Sequence, residues 1–514
     1  MGSLRHHLLL LVALLCSVSV QSKTSSFSTS SVVLLLKTQK IDSGLIANPA
    51  NKLSFHHNVT LTVTLSVGTP AQNVSMVLDT GSELSWLHCK KSVNVNSIFD
   101  PLQSTSYSPI PCNSPTCRTR TRDLTVPVSC DSKKLCHAAI SYADATSIEG
   151  NLALETFHIG GSSIPGVVFG CMDSGFSSSG EEDSKTTGLL GMNRGSLSFI
   201  TQMGYPKFSY CISGQDSSGV LLLGEVKTSW LKPLSYTPLV QVPSVPLPYF
   251  DRVAYSVHLE GIKVGSKLLS LPRSILEPDH TGAGQTMVDS GTQFSFLLGP
   301  AYTALRNEFK AQTRGILRPL EDPNYVFQDT MDLCFLMPLS QKSLPPLPAV
   351  TLVLQGADMT VSTEQLLYRV PGGARGSDGI HCFTFGNSDL LGIEAYVIGN
   401  HHQQNMWMEF DLAQSRFTSP SPQTLVAVNP SPPLTLIVLF IRTELVALLV
   451  GCRRCAQCMS ARCVVVVAYH CWREGHCCCR RYLLLPWLLT ISNQVMCIFL
   501  MNNCYDFHKM IYKS

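Results

Sequence analysis

From His56 to Trp230 the apolar residues come in short continuous or alternating runs, LTVTLSVG, MVLDTG and VVFGC among them, broken by Gly, Pro, Ser and Asn. Runs of this length with this punctuation predict strands. Helical spacing surfaces at Pro300 to Gln312, where Tyr302, Leu305 and Phe309 would share one face. Beyond it VTLVL, YVIG and WMEFDL return to the strand pattern. The expected class is mainly β.

Two of the runs are copies. MVLDTGSELSW delivers Asp79, Thr80 and Gly81 after an apolar lead, and MVDSGTQFSFL delivers Asp289, Ser290 and Gly291 in the same order. Each is followed by two aliphatic residues and a glycine, Leu189-Leu190-Gly191 ending 112 positions after Asp79 and Val397-Ile398-Gly399 ending 110 after Asp289. A matched pair of triplets with matched followers marks a duplicated unit. It predicts two β lobes with a cleft between them, over residues 56–230 and 231–417.

The chain of 514 residues is 45% hydrophobic, which allows two buried cores and excludes wholesale disorder. With 14% charged residues, a net charge of +3 and no basic block in the repeat region, nothing points to nucleic acid. Arg5, His6 and His7 precede the apolar run Leu8 to Cys16, and small or polar residues follow to Ser22; residues 1–22 read as a secretory signal peptide. The run is short for a membrane span. Residues 23–55 read as a propeptide whose Lys37 and Lys40 could neutralise carboxylates before maturation. Export to an extracellular or endomembrane compartment makes the sequons at Asn58 and Asn73 usable, Asn58 the better of the two because Asn73 lies near a buried strand.

Two carboxylates brought together by matching turns cannot both ionise cheaply, so one keeps a proton while the other is a base. A water between them could be deprotonated by one while the other protonates a carbonyl oxygen, which hydrolyses an amide without a covalent intermediate. Gly81 and Gly291 would let backbone approach the carboxylates, and the hydroxyls of Thr80 and Ser290 could lock the turns together. Ser82 and Thr292 would each hydrogen-bond the outer oxygen of their own aspartate. A single such triplet is an ordinary turn after a strand; the doubling makes it a site. No cofactor or metal is called for.

With HHNVTLTVTLSVG, DTGSELSWLHCKK, SYADATSIEG, TTGLLGMNRGSLSF and GQTMVDSGTQFSFLLGP, the chain resembles the pepsin-type aspartic proteases, specifically the plant nepenthesin-type branch with a cysteine-rich insertion. The resemblance runs from Leu53 to Phe417. It implies a bilobal β fold, acid endopeptidase activity on polypeptides as a monomer, Asp79 and Asp289 as the catalytic pair, and Tyr142 on a substrate-covering flap held by Trp86. By themselves those two rings read as core. Ala143 and Ala145 stand where the commoner relatives carry glycines at the flap tip. A pepsin-fold binding or inhibitor protein is the alternative function, though such relatives typically lose catalytic residues.

Of twenty cysteines, nine fall between Cys89 and Cys382 and ten between Cys452 and Cys504. In an exported chain Cys112, Cys117, Cys130 and Cys136 favour disulfides over zinc, with three connectivities open. The resemblance adds a Cys334–Cys382 staple and leaves Cys89, Cys171 and Cys211 unassigned. After Phe417 the family pattern stops and TSPSPQTLVAVNPSPPL begins, so the last strand of the second lobe is expected to be replaced. Residues 418–514 then match no anchor or metal motif: the apolar stretch Leu434 to Val450 is broken by Arg442 and Glu444. The tail reads as translated noncoding sequence outside the fold.

Overall fold

The computed structural model describes residues 31–40, 59–91, 95–176, 184–213, 218–225, 234–243, 245–341 and 343–419, with short backbone segments at 489–491 and 494–496. The signal peptide, Asn58 and nearly all of the tail lie outside them. The two halves share a construction. In the first, Gln72–Asp79 runs antiparallel to Val59–Val67 and parallel to Gly188–Gly191, placing Gly191 opposite Asp79. In the second, Gln285–Val288 runs parallel to Ala395–Ile398. Trp86–His88 and Ser295–Leu297 pack antiparallel on the other side of these strands.

The trailing glycines follow from that crossing. A Cβ on Gly191 would sit 2.4 Å from the Glu83 carbonyl oxygen, and one on Gly399 would sit 2.0 Å from that of Phe294. Each strand therefore passes directly against the chain leaving its aspartate turn. No side chain fits there.

Six antiparallel neighbours within one fifteen-stranded sheet join the halves: Thr237–Pro238, Arg416–Thr418, Trp407–Asp411, Lys207–Ile212, Gly219–Leu223 and Val32–Lys40. The seam pairs Lys207 with Asp411 through Cys211 with Trp407. Phe208 stacks on Phe410 there with ring centroids 4.6 Å apart. The expected helix is present as Gly299–Gln312, burying Ala301, Tyr302, Leu305 and Phe309.

Two segments that the sequence reading set apart from the lobes or at their end take part in this sheet. Residues 32–40, inside the expected propeptide, form an interior strand of this sheet, with Val32–Leu36 paired to 219–223 and Leu36–Lys40 paired to 59–63. Leu36 is 1% exposed, so the apolar run serves the core. Arg416–Thr418 lies between Trp407–Asp411 and Thr237–Pro238, with Phe417 fully buried against Phe410. The expected replacement of the strand that follows Phe417 falls, from residue 420 on, outside the described residues.

Cys112 pairs with Cys130, Cys117 with Cys136, Cys334 with Cys382, and the unassigned Cys89 with Cys171. Cys211 is disulfide-bonded as well. Asn73 is exposed on its strand, its Oδ1 accepting from Ser66 Oγ at 2.7 Å, so nearness to a buried strand does not hide it. Among the described residues no helix is long and apolar enough to cross a membrane.

Because Leu36 fills space between two neighbouring strands, Leu36→Ala should cost about 2–5 kcal/mol in denaturant unfolding. A chain beginning at residue 31 should give soluble protein with cooperative unfolding, whereas one beginning at residue 41 should not.

Candidate active site

Asp79 ends its strand, and Asp289 directly follows its own. Their turns are locked reciprocally. Thr80 N donates to Ser290 Oγ at 3.0 Å and Ser290 N donates to Thr80 Oγ1 at 2.9 Å. Each hydroxyl then donates across the interface, Thr80 Oγ1 to Val288 O at 3.2 Å and Ser290 Oγ to Leu78 O at 2.9 Å. Every donor and acceptor in this knot is used, and all four bonds are buried.

The carboxyls are brought together as a consequence. A Cβ on Gly81 would lie 2.7 Å from Asp289 Oδ1, and one on Gly291 would lie 2.3 Å from Asp79 Oδ1, so each glycine makes room for the opposite aspartate. Gly81 N and Gly291 N each donate at 2.8 Å to the inner oxygen of their own aspartate. Ser82 Oγ donates to Asp79 Oδ2, and Thr292 Oγ1 donates to Asp289 Oδ2 at 2.5 Å. Burial first and the Asp289 charge second push the Asp79 carboxyl well above the ordinary carboxylate range, with Ser82 and Gly81 opposing them. The Asp79 carboxyl is therefore the one biased toward keeping a proton.

This geometry has relatives. Family models described as Xylanase inhibitor N-terminal and Xylanase inhibitor C-terminal match residues 61–225 and 254–418. Aspartic proteinase PCS1 of Arabidopsis thaliana is 66% identical over 375 residues, which cover 72% of this chain and 83% of that protein. The chain belongs to the plant aspartic proteinases. Aspartic proteinase nepenthesin-1 of Nepenthes gracilis is 32% identical over 358 residues, 68% of this chain and 75% of that one. The crystal structure of edgp aligns with a TM-score of 0.57 at 20% identity, covering 76% of this chain and 95% of that chain. Basic 7S globulin from soybean gives 0.53 at 18%, covering 76% and 96%. Those two likenesses speak for the fold. As an aspartic-type endopeptidase the proteinase acts on polypeptides.

Tyr142 and Trp86 meet. Trp86 Nε1 donates to Tyr142 OH at 2.7 Å, and burial followed by the Asp79 charge raises the phenol pKa beyond its ordinary range. Tyr142 opens the turn between Cys136–Ser141 and Ser147–Ile159, the tip of a hairpin in the proteinase's first lobe. Tyr142 N donates to Thr146 O and Ala145 N to Tyr142 O, at 2.8 and 3.1 Å. Ala145 sits at φ +67°, a left-handed position where glycine is the unstrained choice. Asp144 braces the strained tip, Oδ1 accepting from Thr146 N and Oδ2 from Thr146 Oγ1, both at 2.9 Å.

Several supports were not foreseen from sequence. Gln403 Nε2 donates to Asp289 O at 3.1 Å and to Ile398 O at 2.7 Å, while its Oε1 accepts from Tyr210 OH at 2.6 Å. Asn400 Nδ2 donates to Ser290 O at 2.9 Å. The available signal was a polar run, NHHQQN, between two apolar strands. Glu83, four residues past Asp79, is buried with Oε1 accepting from Leu197 N at 2.8 Å, and burial raises its pKa to about 7.

Ala145→Gly should stabilise the closed hairpin tip by about 1 kcal/mol and slow amide exchange at residues 142–146. Glu83 is protonated in the fold at a pH where an unfolded carboxyl is ionised, so its contribution is complete below 4.5 and is lost as pH rises through about 7. Glu83→Gln should therefore unfold at the same temperature as the parent at pH 4 and at a higher one at pH 8.

Proposed function

We propose that the chain is an acid-active endopeptidase that hydrolyses peptide bonds with a water activated between Asp79 and Asp289. The carrying observation is the reciprocal Thr80–Ser290 lock, which holds two carboxyls within each other's reach while their turns bond the oxygens from outside. With one proton on the pair, the ionised oxygen takes a proton from water as it attacks, and the protonated one donates to the scissile carbonyl oxygen. The amide nitrogen then leaves with a proton returned through the pair. Loss of the shared proton as pH rises removes the acid, which is why activity belongs on the acid side of neutrality.

Tyr142 and Trp86 would cover the substrate from the flap, and the apolar walls favour apolar side chains beside the cut bond. The disulfides support export, since they persist in an oxidising compartment. An inhibitor-like binding role is the second reading, favoured by the description of the matching family models. The complete set of dyad contacts weighs against it.

Hydrolysis of a denatured protein at acid pH, with and without pepstatin, decides between them. The parent should cleave and be blocked by pepstatin, and Asp79→Asn should lose about 10²–10⁴-fold in kcat. A folded parent without cleavage would favour the binding role, and undiminished cleavage by Asp79→Asn would remove the aspartate from the chemistry.

A further inference from the structure

His401 and His402 lie side by side just past Gly399, 9% and 0% exposed. The hydrogen bonds around His402 fix where its one proton sits. Gly399 N donates to Ser295 Oγ at 3.0 Å, which leaves the serine proton free for His402 Nδ1 at 2.6 Å. On the other side Thr384 Oγ1 donates to Gln365 O at 2.7 Å, so it must accept from His402 Nε2 at 2.8 Å. The ring is the neutral tautomer protonated at Nε2, a donor on one edge and an acceptor on the other. Phe385 stacks on it with centroids 4.2 Å apart.

A second proton has no place in this chain of bonds. On Nδ1 it would face the serine proton, and Ser295 could accept it only by turning its own hydrogen away from the ring, either against the Gly399 amide or into a buried direction where it gives up the acceptor it now has. The Gly399 contact is one residue from Ile398, whose carbonyl accepts from Asp289 N at 3.1 Å and from Gln403 Nε2. The first lobe has the same contact, Gly191 N to Ser85 Oγ at 3.1 Å, but the residue corresponding to His402 is Arg194, a partly exposed side chain directed to Val240 O. Only the second lobe hangs its aspartate turn on a titratable ring.

We propose that His402 is a positioning residue for the Asp289 turn, and that its protonation, by disrupting the Ser295 hydrogen bonds that tie the ring to Gly399, sets the acid limit of the enzyme. The activity arm rests on the proteolytic reading above; the stability arm does not. The groups facing the two rings are Ser295, Thr384, Phe385, Phe294, Tyr368 and the Gln365 carbonyl, with no carboxylate acting on either histidine among the described residues. Burial holds His401 down to about 4 and, with the His401 charge added, holds His402 well below the ordinary 6.5. The stability of the neutral pair is whole above 6.5, drains as pH falls below it, and stops draining only below the folded values.

The test is His402→Gln, whose side-chain amide can donate at one atom and accept at the other but takes no proton. With the full chain, kcat and KM are measured from pH 6 to pH 3, and thermal midpoints over the same range. The parent's kcat should fall by about tenfold per pH unit at the acid end, the slope of one proton, with KM steady. Relative to its own value at pH 6, His402→Gln should lose much less kcat on acidification than the parent does, and show a flatter midpoint profile. His401→Gln should move the limb less, because that ring donates only to Gln365 O, at 3.0 Å. Superimposable acid limbs for parent and His402→Gln would overturn the proposal, as would a limb removed by His401→Gln alone. Should His402→Gln not fold, the ring's titration in the labelled parent decides: a midpoint near 6.5 with the midpoint temperature unchanged through it overturns the proposal. Inactivity of every sample together with the expected midpoint profiles would count against proteolysis and leave the histidine assignment standing.

Discussion

Everything at the centre of this molecule depends on one exchange of hydrogen bonds, the amide of Thr80 to the hydroxyl of Ser290 and the amide of Ser290 to the hydroxyl of Thr80. The two residues are 210 positions apart, so the exchange fixes the relative placement of two halves that local sequence cannot fix. Each bond is worth only about 1 kcal/mol net, but a buried amide left without its acceptor costs about 1–3 kcal/mol. The knot is thus worth more as a condition than as a sum: an arrangement of the lobes that fails to close it leaves several buried groups unpaired at once. That asymmetry lets a modest interaction hold two carboxyls against their mutual repulsion.

The knot in turn presupposes the six strands that join the halves. The strand pair Lys207–Ile212 with Trp407–Asp411 carries the seam, where Phe208 stacks on Phe410 and Tyr255 packs at an angle against both. Lys207 Nζ lies 3.1 Å from Glu409 Oε1 at the edge of that seam and 3.8 Å from Asp411 Oδ2. A sheet built from strands of both halves transmits alignment because its register is discrete; a slip by one residue would turn every side chain to the wrong face. The interior position of Val32–Lys40 belongs to the same logic, since removing a strand with neighbours on both sides opens two rows of unpaired backbone groups.

The legible part of the site was the part that repeats. Asp79, Thr80, Gly81 and Ser82 have like residues at 289 to 292, and their contacts follow from the chemistry of each side chain. The trailing glycines were visible as a pattern, but their cause, the backbone crossing at Glu83 and Phe294, exists only in three dimensions. Sheet membership of residues 32–40 was not legible because their partners at 219–223 lie far away in sequence, so a local apolar run cannot tell a sheet strand from a leader. Tyr142 and Trp86 were legible through resemblance alone. Gln403, Asn400 and His402 occur in one copy, and a polar residue without a counterpart gives no hint of what it holds.

Glu83 and the histidine pair are buried titratable groups near the aspartate turns, and they shift in opposite directions for one cause. Burial disfavours charge, so the carboxyl keeps its proton to about pH 7 while the His401 ring refuses one until about pH 4. Between those limits both are neutral, and the turns on either side of the cleft are packed without an uncompensated interior charge. Outside them one turn or the other must accommodate a charge in a space shaped for none. The range in which Glu83 and His401 are both uncharged is therefore mildly acidic. One physical cause runs through all of these groups: the burial that pushes the Asp79 carboxyl upward also keeps Glu83 protonated and His401 neutral.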